Sequence, residues 1–356
     1  MIDSISMSHE WINEVSILHN KADRILVEKV IRALMLLESL SVSGLDFCFK
    51  GGTCAMLMLK SSRRMSIDID IIAPPSDIPL LPLLEQVAES GGFIRCEPVS
   101  RATATAVPKE HYKFFYRSAQ TGKESFILLY ILREKIHYTG TIALAIESDF
   151  LKNTEEKTYV KVPDFNNIIA DKLTAFAPNT TGIPYIKNGI EMGMEIMKQM
   201  YDIGCLFDKV DDIKVVKDVF TRFCETELKY RASEASVGDV LDDTIKTALS
   251  LCLKKDIDNT TNFKIISNGV KRVNSHIFSE SFNIDTAVIY AAKAAYLAAA
   301  VKTGAVHIER FDKSIDMKMW TISAPMDTKL NKIKKSRPEA FFYLWQMADL
   351  LRNSQK

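Results

Sequence analysis

The apolar pattern of the chain changes its period once, close to Pro163. Before this point, from residue 46 onwards, short runs of β-branched and aromatic residues alternate with turn-forming residues, which is typical of strands. After it, apolar residues recur at helical spacing over long stretches, which is typical of helices packed against a core. The pattern predicts an α+β fold, in which a mixed or antiparallel sheet with flanking helices is followed by an α-helical bundle.

The predicted elements divide the chain into two domains. The predicted strands span residues 47–49, 66–70, 93–96, 112–117, 126–132, 141–146 and 159–162. The predicted helices span residues 25–37, 80–88, 165–176, 190–207, 213–230, 240–253, 286–301 and 339–351. We therefore expect an N-terminal domain with a leading helix at residues 1–163 and a helical C-terminal domain at residues 164–356.

Composition and simple motifs exclude several classes of protein. The 46 basic and 45 acidic residues leave a formal net charge of +1, so a polyanion must be bound by a local patch rather than by an overall field. The six cysteines form no Cys-x-x-Cys pair, which is typical of reduced, buried thiols in a cytosol. Zinc-ligand spacings, a GxSxG motif and a P-loop are missing from the sequence, which disfavours zinc proteins, serine hydrolases and P-loop enzymes.

Nothing in the sequence indicates a membrane location. The first ten residues are polar and do not resemble a secretory signal. The longest apolar stretch, residues 287–301, is interrupted by Lys293 and is too short to span a bilayer. We expect a cytoplasmic protein that does not contact a membrane.

Two aspartates share one face of the predicted strand at residues 66–70. Strand periodicity puts Ile67 and Ile69 on the buried face, and it puts Ser66, Asp68 and Asp70 on the other. Two carboxylates about 7 Å apart along a strand repel each other. A divalent cation between them removes that repulsion, and Mg²⁺ prefers carboxylate and phosphate oxygens. Taken alone, however, an Asp-x-Asp pair is more often the solvated face of an ordinary strand.

A glycine-rich turn precedes this strand and changes the interpretation. Gly51-Gly52-Thr53 follows a short apolar strand and comes before a helical segment that begins near residue 55. Glycine lets a backbone approach a phosphate closely, and the N–H groups at a helix start attract anions. Thr53 is either a helix cap or a phosphate ligand. An ordinary capped turn explains Gly-Gly-Thr alone, but not a phosphate-binding turn placed one helix before a metal-binding strand.

These segments resemble the nucleotidyltransferase signature of the AbiEii/AbiGii toxin family, within the DNA polymerase β-like superfamily. The resemblance is carried by Lys50-Gly51-Gly52-Thr53 and by Arg63, Arg64, Ser66, Asp68 and Asp70. In that family the glycine turn cradles the triphosphate of the incoming nucleotide, and the aspartates bind magnesium. The resemblance therefore implies a nucleotide site at Gly51, Gly52, Thr53 and Ser66, and a Mg²⁺ site at Asp68 and Asp70. Arg63 and Arg64 either neutralise phosphate or belong to a solvated helix end.

A second match lies in the helical half of the chain. Residues 168–176 resemble the downstream helix of the family, and helical spacing places Lys172 on the stripe that faces the core. Such a lysine either extends to solvent or meets a negative partner, and the resemblance implies that it binds nucleotide phosphate. Lys198-Gln199-Met200-Tyr201-Asp202 resembles a segment whose final aspartate belongs to the active site. Lys198 and Asp202 are also spaced as a surface ion pair.

The resemblance implies an enzyme that transfers a nucleoside monophosphate from a magnesium-bound nucleoside triphosphate (NTP) to an acceptor. It further implies the toxin of a type IV toxin–antitoxin or abortive-infection system, with tRNA as acceptor and a separately encoded antitoxin as partner. The loop at residues 178–184 either contacts substrate or only connects two helices. The basic run Lys332, Lys334, Lys335 and Arg337 either contributes to an RNA groove or is a solvated helix end.

One departure leaves the chemistry open. Two-metal phosphoryl transfer usually needs a third carboxylate on a neighbouring strand. The predicted strand at residues 126–132 carries Tyr130 there instead, and the possible substitutes are Glu124, Glu134, Glu147 and Asp202. One alternative is transfer to a small molecule or a protein. Another is a module that binds a nucleotide or a partner without catalysis, which the missing third acid favours.

Overall fold

The computed structural model describes residues 1–60, 64–99 and 108–354. The chain divides into two compact units. The first comprises Met1–Asp164 and His276–Glu280, and the second comprises Phe165–Ser275 and Ser281–Lys356. Each unit has its own hydrophobic core, as expected for a chain of this length.

A five-stranded mixed sheet forms the centre of the first unit. Its strands are β1 Cys48–Lys50, β2 Ile69–Ile72, β3 Arg95–Pro98, β4 Lys109–Arg117 and β5 Glu124–Leu132. They lie in the order β1-β2-β5-β4-β3, with β2 parallel to β5 and the other neighbours antiparallel. The predicted α+β class with a mixed sheet is confirmed.

Two of the predicted strands do not belong to this sheet. β6 Thr141–Ala145 and β7 Tyr159–Pro163 pair with each other in a separate antiparallel ribbon. A second small ribbon, β8 Ile186–Lys187 with β9 Ile190–Glu191, lies in the helical half, where we expected no strands. The expectation of one sheet was therefore wrong, because strand periodicity marks a strand but not its partner.

Four helices accompany the sheet in the first unit, namely α1 His9–Leu18, α2 Arg24–Ser41, α3 Gly51–Met58 and α4 Leu80–Ser90. Alternate residues of β4 and β5 are buried on one face of the sheet, including Tyr112, Phe114, Leu129 and Ile131. The intervening residues are half-buried or exposed. This alternation is the pattern of a sheet with one face in the core.

The second unit is helical. Its longer helices are α5 Phe165–Ala175, α6 Gly193–Phe207, α7 Ile213–Tyr230, α8 Val237–Leu253, α9 Phe263–Val273, α10 Ile284–Thr303 and α12 Pro338–Asn353, and the four-residue α11 Ile333–Ser336 precedes α12. The predicted bundle is confirmed, although α9 was missed. Helix α6 begins later than expected, because β9 occupies the residues before it.

Helix α10 is the one helix of the described residues that is long and apolar enough to cross a membrane. It has 20 residues, so the expectation that this segment is too short was wrong. About three quarters of it lies buried inside the protein (72% of its most apolar window), which is typical of the core helix of a folded domain. All six cysteines are likewise buried thiols.

The loop between α5 and β8 is held by side chains of the second unit. Asp243 is buried and accepts hydrogen bonds from the backbone N–H of Asn179 (2.8 Å) and from the Thr180 hydroxyl (3.0 Å). The Thr181 hydroxyl donates to the carbonyl of Thr174 at 2.8 Å, and Arg231 donates to that of Gly182 at 3.1 Å. The hydroxyls that suggested substrate contact are thus used to fix the loop.

Part of the basic run near the C-terminus is also used internally. Lys334 Nζ donates to the carbonyls of Lys318 (2.7 Å) and Trp320 (2.9 Å). Arg337 Nη2 lies 2.7 Å from Asp285 Oδ1. These two cations hold the C-terminal segment in place, so they do not add to an exposed patch for RNA.

Candidate functional site

A row of polar side chains crosses the sheet of the first unit at Asp70. Lys50 of β1 is paired with Asp70 of β2, Asp70 with Tyr130 of β5, and Tyr130 with His111 of β4. Directly paired residues of neighbouring strands project from the same face of a sheet. This row therefore lies on the face of β4 and β5 that is turned away from the core.

Gly51 lies directly against Asp70. A Cβ atom at residue 51 would lie 2.2 Å from Asp70 Oδ2, and the residue has a φ of +81°. Both observations demand glycine, because any side chain would overlap the carboxylate and the backbone angle is unfavourable for L-residues. Helix α3 begins at this glycine, so Gly-Gly-Thr is its first turn rather than a loop before it.

Gly52 gives two other polar groups room at the same helix start. A Cβ atom at residue 52 would lie 2.6 Å from Arg64 Nη2 and 2.7 Å from Ser66 Oγ. The N-cap residue of α3, Lys50, makes no side-chain cap hydrogen bond, and the N–H groups of a helix start attract anions. Arg64 is 6% exposed, which contradicts the solvated helix end considered for it. Arg63 lies outside the described residues.

Thr53 connects this helix to the Asp-x-Asp segment. Its side chain is buried, and its hydroxyl donates to the backbone carbonyl of Asp68 at 2.5 Å. The hydroxyl therefore fixes Asp68, and Thr53 has only its backbone N–H to offer a phosphate. Asp68 itself precedes β2, which begins at Ile69, so the second aspartate lies in the strand and the first just before it.

The negative charges of Asp68 and Asp70 both affect the pKa of Tyr130. Burial and, after it, the negative charges of Asp68 and Asp70 together raise the pKa of Tyr130 to about 12. The two carboxylates thus lie close to the same phenol. Their oxygens are the kind of ligand that Mg²⁺ prefers. With so high a pKa, Tyr130 is a neutral phenol at physiological pH, so it cannot replace a carboxylate as a base.

No third acidic ligand joins the pair within the described ranges, where no group of three or more potential metal ligands occurs. Glu124 binds Arg95 at the opposite end of β5, at 2.6 Å. Glu147 binds Lys157 at 2.8 Å. Asp202, the helical candidate, is also bound to a cation. The metal would therefore be held by Asp68 and Asp70, with the remaining positions left to substrate and water.

Lys172 and Asp202 form a buried ion pair within the second unit. Lys172 Nζ lies 2.9 Å from Asp202 Oδ2, and the two side chains are 6% and 5% exposed. Lys172 also donates to Gln199 Oε1 at 3.1 Å. Of the two expectations for Lys172, the negative partner is the one found. The surface ion pair considered for Asp202 was wrong, because Asp202 is buried and binds Lys172 from α5.

Sequence reasoning missed the positions of β4 that face away from the core. Residues 109, 111, 113, 115 and 117 are lysine, histidine, lysine, phenylalanine and arginine, and they alternate with buried aromatics. The signal was present in the sequence, since a period of two separates the faces of any strand.

We predict that Gly51→Ala destabilises the first unit more than Gly44→Ala does. Gly44 is a matched control, because its φ is +83° and nothing lies within 4 Å of its Cβ position. The control change should cost only the backbone strain, about 1–2 kcal/mol. Gly51→Ala adds the overlap with Asp70, so its free energy of unfolding in denaturant titrations should be lower still. Equal losses in both variants would show that Gly51 does not contact Asp70.

Comparison with known proteins identifies the family of the chain. The profile of a family described as "Nucleotidyl transferase AbiEii toxin, Type IV TA system" matches residues 33–288. No curated protein sequence matches the chain.

Two solved structures have weak similarity to the chain. JHP933 from Helicobacter pylori has a TM-score of 0.43 and 12% identity, over 84% of this chain and 94% of its own. An antigenic nucleotidyltransferase-like protein from Paracoccidioides brasiliensis has a TM-score of 0.33 and 14% identity, over 64% of this chain and 95% of its own. The assignment rests on the family match, which covers most of the chain. The chain belongs to the AbiEii nucleotidyltransferase toxin family of type IV toxin–antitoxin systems.

Proposed function

We propose that the chain transfers a nucleoside monophosphate from Mg²⁺-NTP to the hydroxyl of an RNA acceptor, with tRNA as the first candidate. The observation that best supports this proposal is the cluster of Gly51, Gly52, Asp70 and Tyr130. In this cluster the first turn of α3 lies against the Asp70 carboxylate, which is a suitable ligand for a metal ion. An anion site beside a cation site is what a metal-bound triphosphate requires.

In this proposal the first unit binds and orients the nucleotide. The first-turn N–H groups of α3 and the Arg64 guanidinium bind phosphate oxygens, and the Ser66 hydroxyl donates to one of them. Asp68 and Asp70 hold Mg²⁺, which supplies charge neutralisation at the reacting phosphate. Thr53 keeps Asp68 in place through its backbone carbonyl. Catalysis is then mostly positioning and electrostatic stabilisation.

The reaction forms one bond and breaks one. The acceptor oxygen attacks the α-phosphorus, the bond to the bridging oxygen breaks, and pyrophosphate leaves with the electron pair. The acceptor proton goes to a carboxylate or to solvent, because the Tyr130 phenol is neutral and cannot accept it. The proposal keeps Lys172 and Asp202 as active-site residues on the strength of the family resemblance. It also has the toxin act in the cytoplasm and bind a cognate antitoxin protein.

We predict that Asp68→Asn and Asp70→Asn each lower nucleotide transfer by about a hundredfold or more, because removing even an indirect metal contact costs 10–100-fold. Asp77→Asn is the matched control, since Asp77 is an exposed aspartate of the same unit. Wild type and variants are incubated with each α-labelled NTP and Mg²⁺, and with total tRNA, small acceptors or protein side by side.

Labelled RNA from the wild type and the Asp77 variant, but not from the other two, is the expected result. Equal labelling by all four proteins would contradict the proposal. Label on a small molecule or a protein would support the other transferases considered for this family. A non-catalytic module would be supported by Mg²⁺-dependent NTP binding with no product on any acceptor. The observation that favours this module is Tyr130 in place of a third acid.

A pair of variants separates a structural from a catalytic role for Lys172 and Asp202. Removing one partner of a buried ion pair leaves an uncompensated charge and typically costs about 3–5 kcal/mol, whereas apolar replacement of both is often neutral. We therefore predict that Lys172→Met destabilises the protein and that Lys172→Met with Asp202→Leu restores its stability in thermal melts. Both proteins should lack transferase activity. An active double variant would show that the pair is only structural.

A further inference from the structure

The outer positions of β4 carry cations and rings but no acid. In chain order they are Lys109, His111, Lys113, Phe115 and Arg117, and those at 111, 113 and 115 are half-buried. Opposite them, β5 presents Phe126 beside Phe115 and Tyr130 beside His111. We call His111, Lys113, Phe115, Phe126 and Tyr130 the basic-aromatic strip.

Cations lie over the rings of this strip. Lys113 Nζ lies 4.6 Å from the centroid of the Phe126 ring, and Arg95 Cζ lies 3.9 Å from that of Phe115. The centroids of the two rings are 5.8 Å apart and their planes are tilted by 60°, so the rings are direct neighbours. Arg95 is held by Glu124 at 2.6 and 2.9 Å and by Glu97 at 2.6 Å. Its guanidinium is therefore a fixed plane, with the side chain 39% exposed.

The charge of Lys113 remains available to an anion. The two carboxylates near this part of the face, Glu97 and Glu124, both bind Arg95. Glu97 is paired with Lys113 across β3 and β4, yet no ion pair joins them within the described residues. Lys113 is instead directed over Phe126. A lysine beside ring faces, with no carboxylate partner, suits a phosphate attached to a stacked base.

The basic-aromatic strip begins beside Asp68 and Asp70, the carboxylates of the proposed metal site. Tyr130 is the β5 partner of Asp70, and His111 contacts it edge to face at 4.5 Å between ring centroids. Lys113 follows about 7 Å further along β4 and Phe115 about 14 Å further, from the rise of a strand. A chain lying on Phe115 and Lys113 therefore has its end at Tyr130, beside Asp70.

We propose that the basic-aromatic strip binds the single-stranded end of the RNA acceptor, with one base stacked on the Arg95 guanidinium that lies over Phe115, a second base against Phe126, and a phosphate on Lys113. This inference rests on the proposed function, because it takes RNA as the acceptor that must reach Asp68 and Asp70. RNA is favoured over a protein partner, since neighbouring rings beside a lysine without a carboxylate partner match stacked bases and a phosphate.

Binding of the full-length chain to a short fluorescein-labelled single-stranded RNA, over a series of salt concentrations without NTP, tests the strip. Lys113→Gln should reduce the slope of log K against log salt by about 0.7 and weaken binding about fivefold at 0.1 M salt. Lys123→Gln is the matched control, because Lys123 is exposed in the turn before β5 and should leave binding unchanged. Mg²⁺-NTP binding should be equal in all three proteins.

A second variant tests the stacking plane separately from charge. Arg95→Lys keeps the cation but removes the planar guanidinium, so RNA binding should weaken about fivefold or more. Arg24→Lys, at an exposed arginine of α2, is its control. Ultraviolet cross-linking of the wild type to the same RNA should give adducts on peptides of β4 and β5. This readout does not depend on how well any variant folds.

Wild-type RNA binding by both Lys113→Gln and Arg95→Lys, or cross-links confined to other segments, would overturn the proposal. The outcomes separate it from the proposed function. If the strip binds RNA but the RNA is never labelled from NTP, RNA binding by the strip is supported and the transferase proposal is contradicted. If wild type and both variants label RNA equally, the transferase proposal is supported and RNA binding by the strip is contradicted.

Discussion

The contact between Gly51 and Asp70 is the constraint on which the site depends. The Asp70 carboxylate occupies the space that a side chain at residue 51 would need, so the start of α3 and the end of β1 are fixed against β2. Thr53 adds the second connection through the carbonyl of Asp68. These two contacts hold the start of α3 next to the carboxylates of Asp68 and Asp70. A site held in this way is preorganised for binding.

The same arrangement explains the tyrosine in place of a third acid. Asp68 and Asp70 already repel each other, and a third carboxylate on β5 would add to that repulsion before any cation binds. Tyr130 fills the position with a neutral group, since burial and then the two neighbouring negative charges raise its pKa to about 12. The consequence for catalysis is that the site offers two carboxylates to the metal rather than three.

Local features of the fold could be predicted from the sequence. The resemblance placed Gly51, Gly52, Asp68 and Asp70 in the nucleotidyltransferase signature, and their roles there stay a prediction. The period of the apolar residues identified β4 and β5 and gave the bounds of α7. These successes share a cause, because a residue's nearest neighbours in sequence determine turns, strands and helix starts. The membership of β6 and β7 in a separate ribbon depends on long-range pairing, which periodicity does not encode.

The partners of individual side chains were less accessible to prediction. Helical spacing indicated that Lys172 faces the core and needs a partner or a path to solvent, but only the packing of α5 against α6 identifies Asp202. Lys198 lies one turn from Asp202 in the sequence, but that local spacing does not reveal that Asp202 is buried against Lys172. Likewise, Thr53 had the right chemistry for a phosphate ligand, whereas the structure commits its hydroxyl to the carbonyl of Asp68.

The most direct test of a metal-bound triphosphate at α3 is a crystal of the full-length chain grown with Mn²⁺ and a non-hydrolysable NTP. We predict an anomalous difference peak between the carboxylates of Asp68 and Asp70, with the triphosphate against the N–H groups of Gly51, Gly52 and Thr53. A metal peak away from both aspartates, or a triphosphate that does not contact the start of α3, would contradict the account.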